Sequence, residues 1–206
     1  AYTHNTLGLQ QTVPFGLRPT SAAQVRLVVE TARHSGVRLF PISTGKNWGY
    51  GSALSGDQDA VILDLSAMQA IKFNERDETF SLQPGVTQQQ LFAFLVKHQL
   101  KYLVPTTGAG PNASVVGNLL DRGYGVTPIE DHFSSLVSLE AILPDGSRVE
   151  VAVVKHLIKS LCPQQVTILE AGATAGADQH RCKQQRTRER LTQHPRRRNT
   201  HRGPAG

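Results

Sequence analysis

The stretch Pro41-Ile-Ser-Thr-Gly-Lys-Asn-Trp-Gly-Tyr-Gly51 follows the strand-like run Val37–Phe40 and places three glycines and three hydroxyl side chains within eleven residues. Because glycine adopts positive φ angles without steric cost, these glycines permit a tight loop whose backbone amides converge. Converging amides form a nest for an anion such as phosphate, and the hydroxyls of Ser43 and Thr44 are further donors. The spacing is neither that of the dinucleotide-binding fingerprint nor that of a P-loop. The stretch therefore predicts a phosphate-binding loop, with an ordinary glycine-rich turn as the alternative.

A second glycine-rich segment spans Pro105–His132 and contains five glycines and three prolines. One short piece of it, Ala113–Arg122, is compatible with a helix. A polar segment of this length is uncommon in a compact domain unless it has a function. It follows a predicted short strand, Tyr102–Val104, just as the first loop follows a strand. Two such segments suit a long ligand with a phosphate at one end and a flat polar group at the other.

Hydrophobic periodicity predicts an α+β fold that is rich in strands and has two flanking helices. Thr20 or Ser21 is the expected cap of a first helix that ends at Gly36, and Thr87 is the expected cap of a second helix. Strands are predicted at Val37–Ile42, at Ala60–Leu65, in a hairpin around Glu75–Glu78, at Tyr102–Val104, and in a hairpin from Leu136 to Val154 around Pro144–Gly146.

The two glycine-rich segments and their neighbours resemble the flavin-binding domain of the vanillyl-alcohol oxidase and p-cresol methylhydroxylase family. The matching segments are LRPTSAAQVRLVVETARHSGVRLFPIS (17–43), PISTGKNWGYGS (41–52), AVILDLSAMQAI (60–71), LQPGVTQQQLFAFL (82–95), GNLLDRGYGVTPIEDH (117–132) and LEAILPDGSRVE (139–150). The resemblance covers about residues 10–152. It implies an α+β, PCMH-type FAD-binding domain at residues 1–152 of an FAD-dependent oxidoreductase.

By this resemblance, the first loop wraps the pyrophosphate of FAD. The expected cofactor contacts are Pro41, Ser43, Thr44, Gly45, Lys46, Asn47, Trp48, Gly49, Tyr50 and Gly51. Lys46 would place a charge near the phosphates, with a solvated surface lysine as the alternative. Some related flavoproteins carry a histidine in this loop that bonds covalently to the flavin, whereas this chain has Asn47 and Trp48 there. We therefore expect FAD to be held noncovalently.

The resemblance also implies that the second segment lines the flavin through backbone amides, which stabilise the negative charge of the reduced ring. The expected contacts are Pro105, Gly108, Gly117, Asn118, Asp121, Arg122, Gly123, Gly125 and His132, together with the turn at Pro84 and Gly85. For Pro84 and Gly85 a structural role is favoured over cofactor contact. For Asp131 and His132 a capping and orienting role is favoured over a catalytic pair.

Asp121 is the candidate catalytic residue. In the family an acid at this place lies close to the isoalloxazine ring, where it influences the flavin potential and takes part in proton handling. The alternative is an aspartate at a helix end that pairs with its neighbour Arg122.

The resemblance implies that a full-length relative oxidises a small phenolic substrate, most simply a 4-alkylphenol, by hydride transfer from the benzylic carbon to flavin N5. Oxygen or a cytochrome then accepts the electrons, and a homo-oligomer is left open. The family continues into a substrate domain that we expect to be absent from this chain. Two alternatives from other classes are a truncated, non-catalytic fragment and a binder of nucleic acid or anionic surfaces through a basic tail.

Charge is distributed very unevenly along the chain. The net charge of the whole chain is +6, but residues 1–152 hold 11 basic and 13 acidic residues, and residues 153–206 hold 11 basic and 3 acidic ones. The last 73 residues, 134–206, contain no Phe, Trp or Tyr. We therefore expect residues 153–206 to form a basic tail outside the family domain, disordered from about Gly172. A reading-frame error or a truncated gene is one explanation of its composition.

The tail lacks aromatic residues for stacking on bases, which makes a nucleic-acid partner the less favoured prediction. Its two cysteines, Cys162 and Cys182, have neither the spacing of a zinc site nor that of a disulfide framework. No run of about 20 apolar residues predicts a membrane span. The N-terminus AYTHNTLG shows no signal pattern, so a cytoplasmic location is expected.

Overall fold

Two β-sheets and three α-helices make up the described part of the chain, which comprises residues 15–46, 53–55, 57, 59–125, 131–152 and 167–174 of a computed structural model. The strands are β1 (Gly16–Leu17), β2 (Leu39–Ile42), β3 (Val61–Asp64), β4 (Ile71–Asn74), β5 (Thr79–Leu82), β6 (Leu136–Ile142), β7 (Arg148–Ala152) and β8 (Thr167–Thr174). The helices are α1 (Ala22–His34), α2 (Gln88–Lys97) and α3 (Val115–Leu120).

The first sheet has three parallel strands in the order β1-β3-β2. All four residues of its central strand, β3, are buried, which explains why that strand is a continuous apolar run rather than an alternating one. Helix α1 covers the sheet with Val25 and Val29, which pack with Leu63 and Ile142. As predicted, Ser21 caps α1 by accepting a hydrogen bond from the backbone of Gln24.

The second sheet is antiparallel, in the order β4-β5-β8-β6-β7. Its two hairpins, β4–β5 and β6–β7, lie where the sequence predicts them. Helix α2 packs on this sheet. Its residues Leu91 and Leu95 are buried in one core cluster with Phe80 and Leu82 of β5. This sheet and helix form the larger hydrophobic core of the described residues.

Helix α2 begins with a reciprocal capping arrangement. The side chain of Thr87 accepts from the backbone N–H of Gln90, at 3.2 Å, and the side chain of Gln90 accepts from the backbone N–H of Thr87, at 2.9 Å. Two of the four N–H groups that a helix start leaves unpaired are thereby satisfied. The predicted cap at Thr87 is confirmed.

No helix among the described residues is long and apolar enough to cross a membrane.

The predicted strand at Tyr102–Val104 is wrong, since these residues have no strand partner in the described part of the chain. The ring of Tyr102 packs on those of Phe73 and Phe80, with centroids 5.6 and 5.7 Å away, and Val104 is buried. This piece is apolar because Tyr102 packs against aromatic rings of the sheet and Val104 is buried, and not because it pairs as a strand.

Strand β8 lies beyond the expected domain boundary at Ala152 and pairs with β5 on one side and β6 on the other. The predicted onset of disorder at about Gly172 is therefore wrong for Gly172–Thr174. Residues 167–174 read TILEAGAT and are mostly small or apolar, unlike the arginine-rich sequence that follows them. Such residues are compatible with a strand that has a neighbour on each side. The remaining predictions for the tail concern residues 153–166 and 175–206, which lie outside the described residues.

Replacing Thr87 with Ala removes the hydroxyl that accepts from the backbone N–H of Gln90, while the backbone N–H of residue 87 can still donate to the Gln90 side chain. We expect Thr87→Ala to lower the free energy of unfolding by about 1 kcal/mol, the usual loss for a helix cap. Urea denaturation followed by far-ultraviolet circular dichroism measures the change. Thr31→Ala, at an exposed position within α1, is the matched control and should be neutral or slightly stabilising. Equal losses in the two variants would contradict the cap.

Candidate functional site

The two glycine-rich segments meet where β2 ends and α3 runs past it. A Cβ atom placed on Gly117 of α3 would lie only 2.8 Å from the hydroxyl oxygen of Ser43. The hydroxyl of the first loop therefore rests against bare helix backbone. A Cβ atom at this position would crowd the hydroxyl unless the Ser43 side chain rotated away.

Ser114 fastens the start of α3. Its hydroxyl accepts from the backbone N–H of Gly117 at 2.9 Å, which caps the helix, and donates to the carbonyl of Pro84 at 2.7 Å. The next residue, Gly85, is held in turn by a hydrogen bond from its N–H to the carbonyl of Met68 at 2.8 Å. Pro84 and Gly85 are buried among these backbone groups, which supports the structural role that the sequence favours for them.

Thr44 carries a buried hydroxyl with no hydrogen-bond partner, and it is the one such side-chain atom found among the described residues. A buried polar group left without a partner costs about 1–3 kcal/mol. It adjoins Gly45, whose φ of +64° turns the chain and which packs closely on Ala53. Lys46 is exposed. The predicted contacts Asn47, Trp48, Gly49, Tyr50 and Gly51 lie outside the described residues.

Gln88, at the first position of α2, holds the beginning of the second segment. Its side chain accepts from the backbone N–H of Thr107 at 3.0 Å and donates to the carbonyl of Gly110 at 3.1 Å. Gln88 is only 6 % exposed, so this link is an internal one. Sequence reasoning missed it. The available signal was a polar residue next to the helix cap, which is usually taken for a solvated one. Of the predicted contacts in this piece, Pro105 is half-buried and Gly108 is exposed.

The chain leaves α3 through a turn held by backbone and side chains together. The N–H of Gly123 donates to the carbonyl of Asn118, and the N–H of His132 donates to the carbonyl of Gly123, both at 2.9 Å. The side chain of Asn118 donates to Nδ1 of His132 at 2.5 Å. A Cβ on Gly125 would lie 3.1 Å from the imidazole and would also overlap the carbonyl of Thr106. The structure thus brings together four of the predicted site residues.

An ion pair closes the same turn on its outer side. Arg122, with a φ of +54°, donates to the carboxylate of Asp131 at 2.7 Å and lies over the ring of Phe133. The other carboxylate oxygen of Asp131 accepts from the backbone of Ser134, which caps the short 3₁₀ helix that follows. Asp131 has the capping role that the sequence favours.

Asp121 ends α3, and its neighbour Arg122 pairs with Asp131 instead. The alternative in which Asp121 pairs with Arg122 is therefore wrong. Partial desolvation raises the pKa of the Asp121 carboxyl above its usual range, although the residue as a whole is exposed. A raised pKa in a carboxyl of the predicted flavin-binding segment is compatible with proton handling.

Residues 15–152 match the family described as the FAD binding domain. The chain belongs to this family. It is 40% identical over 144 residues to 1'-carboxy-chondrochloren decarboxylase of Chondromyces crocatus, a match over 69% of this chain and 27% of that protein. It is 34% identical over 128 residues to the flavoprotein subunit of 4-cresol dehydrogenase [hydroxylating] of Pseudomonas putida, over 62% of this chain and 25% of that protein. The chain thus spans about a quarter of the length of these curated relatives.

Among solved structures, the fold superposes on p-cresol methylhydroxylase with substrate bound, with a TM-score of 0.69 and 26% identity. The match covers 78% of this chain and 35% of that one. The predicted fold class and the predicted resemblance to the p-cresol methylhydroxylase flavoproteins are confirmed.

Two glycines of the site should respond differently to alanine. On Gly117 a Cβ meets the hydroxyl of Ser43, which can rotate away, and alanine favours a helix by about 1 kcal/mol, so we expect Gly117→Ala to leave unfolding nearly unchanged. On Gly85 a Cβ would lie 2.5 Å from the carbonyl oxygen of Ser66, which cannot move alone, so we expect Gly85→Ala to destabilise by about 1–3 kcal/mol. Urea denaturation compares the two, and equal effects would contradict these contacts.

The protonation of His132 should be visible in the stability of the fold. Burial lowers the pKa of His132, while the charge of Asp131 partly opposes this. The unfolded chain therefore binds more protons than the folded one between the depressed pKa and histidine's ordinary value of about 6.5. We expect the free energy of unfolding to fall as the pH is lowered through about 6.5 toward the depressed pKa, and His132→Asn to lose that dependence. The matched control His34→Asn, at an exposed position, should retain it.

Proposed function

We propose that this chain binds FAD noncovalently, with the pyrophosphate at the first loop and the flavin along the second segment. The observation that carries the proposal is the buried, unpartnered hydroxyl of Thr44, which lies next to the contact between Ser43 and Gly117. A phosphate oxygen is an acceptor that would complete the hydrogen bonding of this hydroxyl. The positive φ at Gly45 suits a tight loop around a ligand.

The residues fit the two ends of the cofactor differently. At the phosphate end, Ser43 and Thr44 offer hydroxyl donors, and the exposed Lys46 offers a positive charge. At the flavin end, the backbone of Thr107–Gly110 is held by Gln88 and cannot easily turn away. Rigid positioning of donors before a ligand arrives lowers the entropic cost of binding.

Noncovalent attachment is supported by the side chains available in the two segments. The first loop, residues 41–51, contains no histidine or cysteine, and Asn47 and Trp48 stand where some related flavoproteins carry the linking histidine. In the second segment, His132 is wholly covered by protein. Denaturing the complex with acid should therefore release the flavin.

For a full-length relative that contains this domain we propose oxidation of a small phenol, such as a 4-alkylphenol. The identity to a 4-cresol dehydrogenase subunit and the structural likeness to p-cresol methylhydroxylase support this class. Bound FAD would supply the capacity to accept a hydride from the benzylic carbon. Asp121, whose carboxyl has a raised pKa, is the residue of this chain that we propose handles a proton nearby. A cytochrome or oxygen as electron acceptor, and a homo-oligomer, belong to the same proposal.

The first experiment is a titration of the purified chain with FAD, followed by flavin fluorescence and by visible absorbance that co-elutes with protein. We expect saturable binding, complete release of flavin on acid precipitation, and affinity lowered about tenfold in Thr44→Val, the effect of about one lost hydrogen bond to a charged group. Thr79→Val, which makes the same change in β5 of the other sheet, should bind FAD normally.

Two results would count against the proposal. One is a folded chain that gathers no flavin at saturating FAD, and the other is a Thr44→Val variant that binds as tightly as the unchanged chain. Flavin that stays with the acid-precipitated protein would disprove only the noncovalent part.

A further inference from the structure

We propose that Asn118 and His132 are a positioning pair: the imidazole fixes the turn Gly123–Gly125 through Asn118 and does not itself touch the cofactor. This inference rests on the proposed FAD site, because the turn is one of the predicted flavin contacts. It changes the role of two residues that the sequence presents as cofactor contacts.

The burial of His132 carries the first step. Its relative exposure is 0 %, so atoms of the protein alone cover the ring. A bound molecule could reach the imidazole only by displacing those atoms. Any effect of His132 on a ligand must therefore pass through the groups that the ring contacts.

The contacts of the pair lead to the glycine turn. Asn118 donates from its side chain to His132 Nδ1, and its carbonyl accepts from the N–H of Gly123. The carbonyl of Gly123 accepts in turn from the N–H of His132. A closed ring of three hydrogen bonds therefore joins the end of α3 to the start of the 3₁₀ helix, with Gly123 as its middle member.

The two side chains also fill the space beside the turn. A Cβ on Gly123 would overlap the carboxamide of Asn118, and one on Gly125 would crowd the imidazole of His132. The backbone of the turn is thus packed on one side by the pair. At Gly125 the carbonyl of Thr106 packs on the turn as well.

The direction of the hydrogen bond fixes the protonation of the ring. With the carboxamide NH₂ group of Asn118 facing the ring, Nδ1 accepts and the ring proton lies on Nε2. A protonated imidazole would place a donor against a donor. Among the described charged groups, Asp131 is the chain neighbour of His132, and it also forms the ion pair with Arg122.

The test compares two isosteric replacements of the ring. His132→Asn keeps a polar acceptor at the position of Nδ1, whereas His132→Gln moves it to the position of Nε2. We expect FAD affinity within about threefold of the unchanged chain for Asn and about tenfold weaker for Gln. Exchange of the backbone amide protons of residues 123 and 132 with solvent deuterium should accelerate in the Gln variant and stay slow in the Asn variant. His34→Gln, at an exposed position, is the control and should change neither readout.

The two readouts separate this inference from the FAD site itself. If the unchanged chain binds no FAD, the proposed function fails, but amide exchange still decides whether the pair holds the turn. Equal behaviour of the Asn and Gln variants in exchange would overturn the positioning role. Weaker FAD binding in the Gln variant without faster exchange would also overturn it, since that result points to direct contact with the cofactor. Nitrogen-15 spectra of the ring should show the proton on Nε2, and a proton on Nδ1 would contradict donation from Asn118 to His132.

Discussion

The candidate site depends on one constraint: polypeptide backbone must approach other groups more closely than a Cβ atom allows. Ser43 lies against Gly117. The carboxamide of Asn118 occupies the space that a side chain at Gly123 would need, and the carbonyl of Thr106 occupies that space at Gly125. Each contact joins a predicted site residue to a neighbouring segment. The glycines are thus required less for flexibility than for the space that their missing side chains leave to other groups.

Local signals in the sequence were enough for the elements that mount the site. Ser21 and Thr87 cap their helices because a hydroxyl just before an apolar helical pattern satisfies the helix start without help from distant residues. The hairpins β4–β5 and β6–β7 join neighbours in the chain. The approach of the first loop to α3 follows from no local pattern, and it was reached only through resemblance to a family.

The features that could not be predicted from the sequence depend on tertiary contacts. Gln88 looks like a solvated helix residue until the second segment folds over it, because its partners Thr107 and Gly110 lie about twenty residues further along the chain. The pairing of Arg122 with Asp131 rather than with the adjacent Asp121 depends on the return of the chain after a nine-residue excursion. Strand β8 was missed because a central strand draws its stability from two partners whose positions the sequence does not show.

Strand β8 also sets the order in which the larger sheet can assemble. It lies between β5 and β6, although it follows both of them in the chain by many residues. During synthesis from the N-terminus, both strands emerge before their shared neighbour and present unpaired backbone edges until Thr167–Thr174 arrives. Pairings between residues so distant in sequence close slowly because of the entropy lost by the intervening chain. Exposed edges of this kind are recognised by chaperones and by other copies of the chain, so the nascent protein is most vulnerable to aggregation in the interval before β8 is inserted.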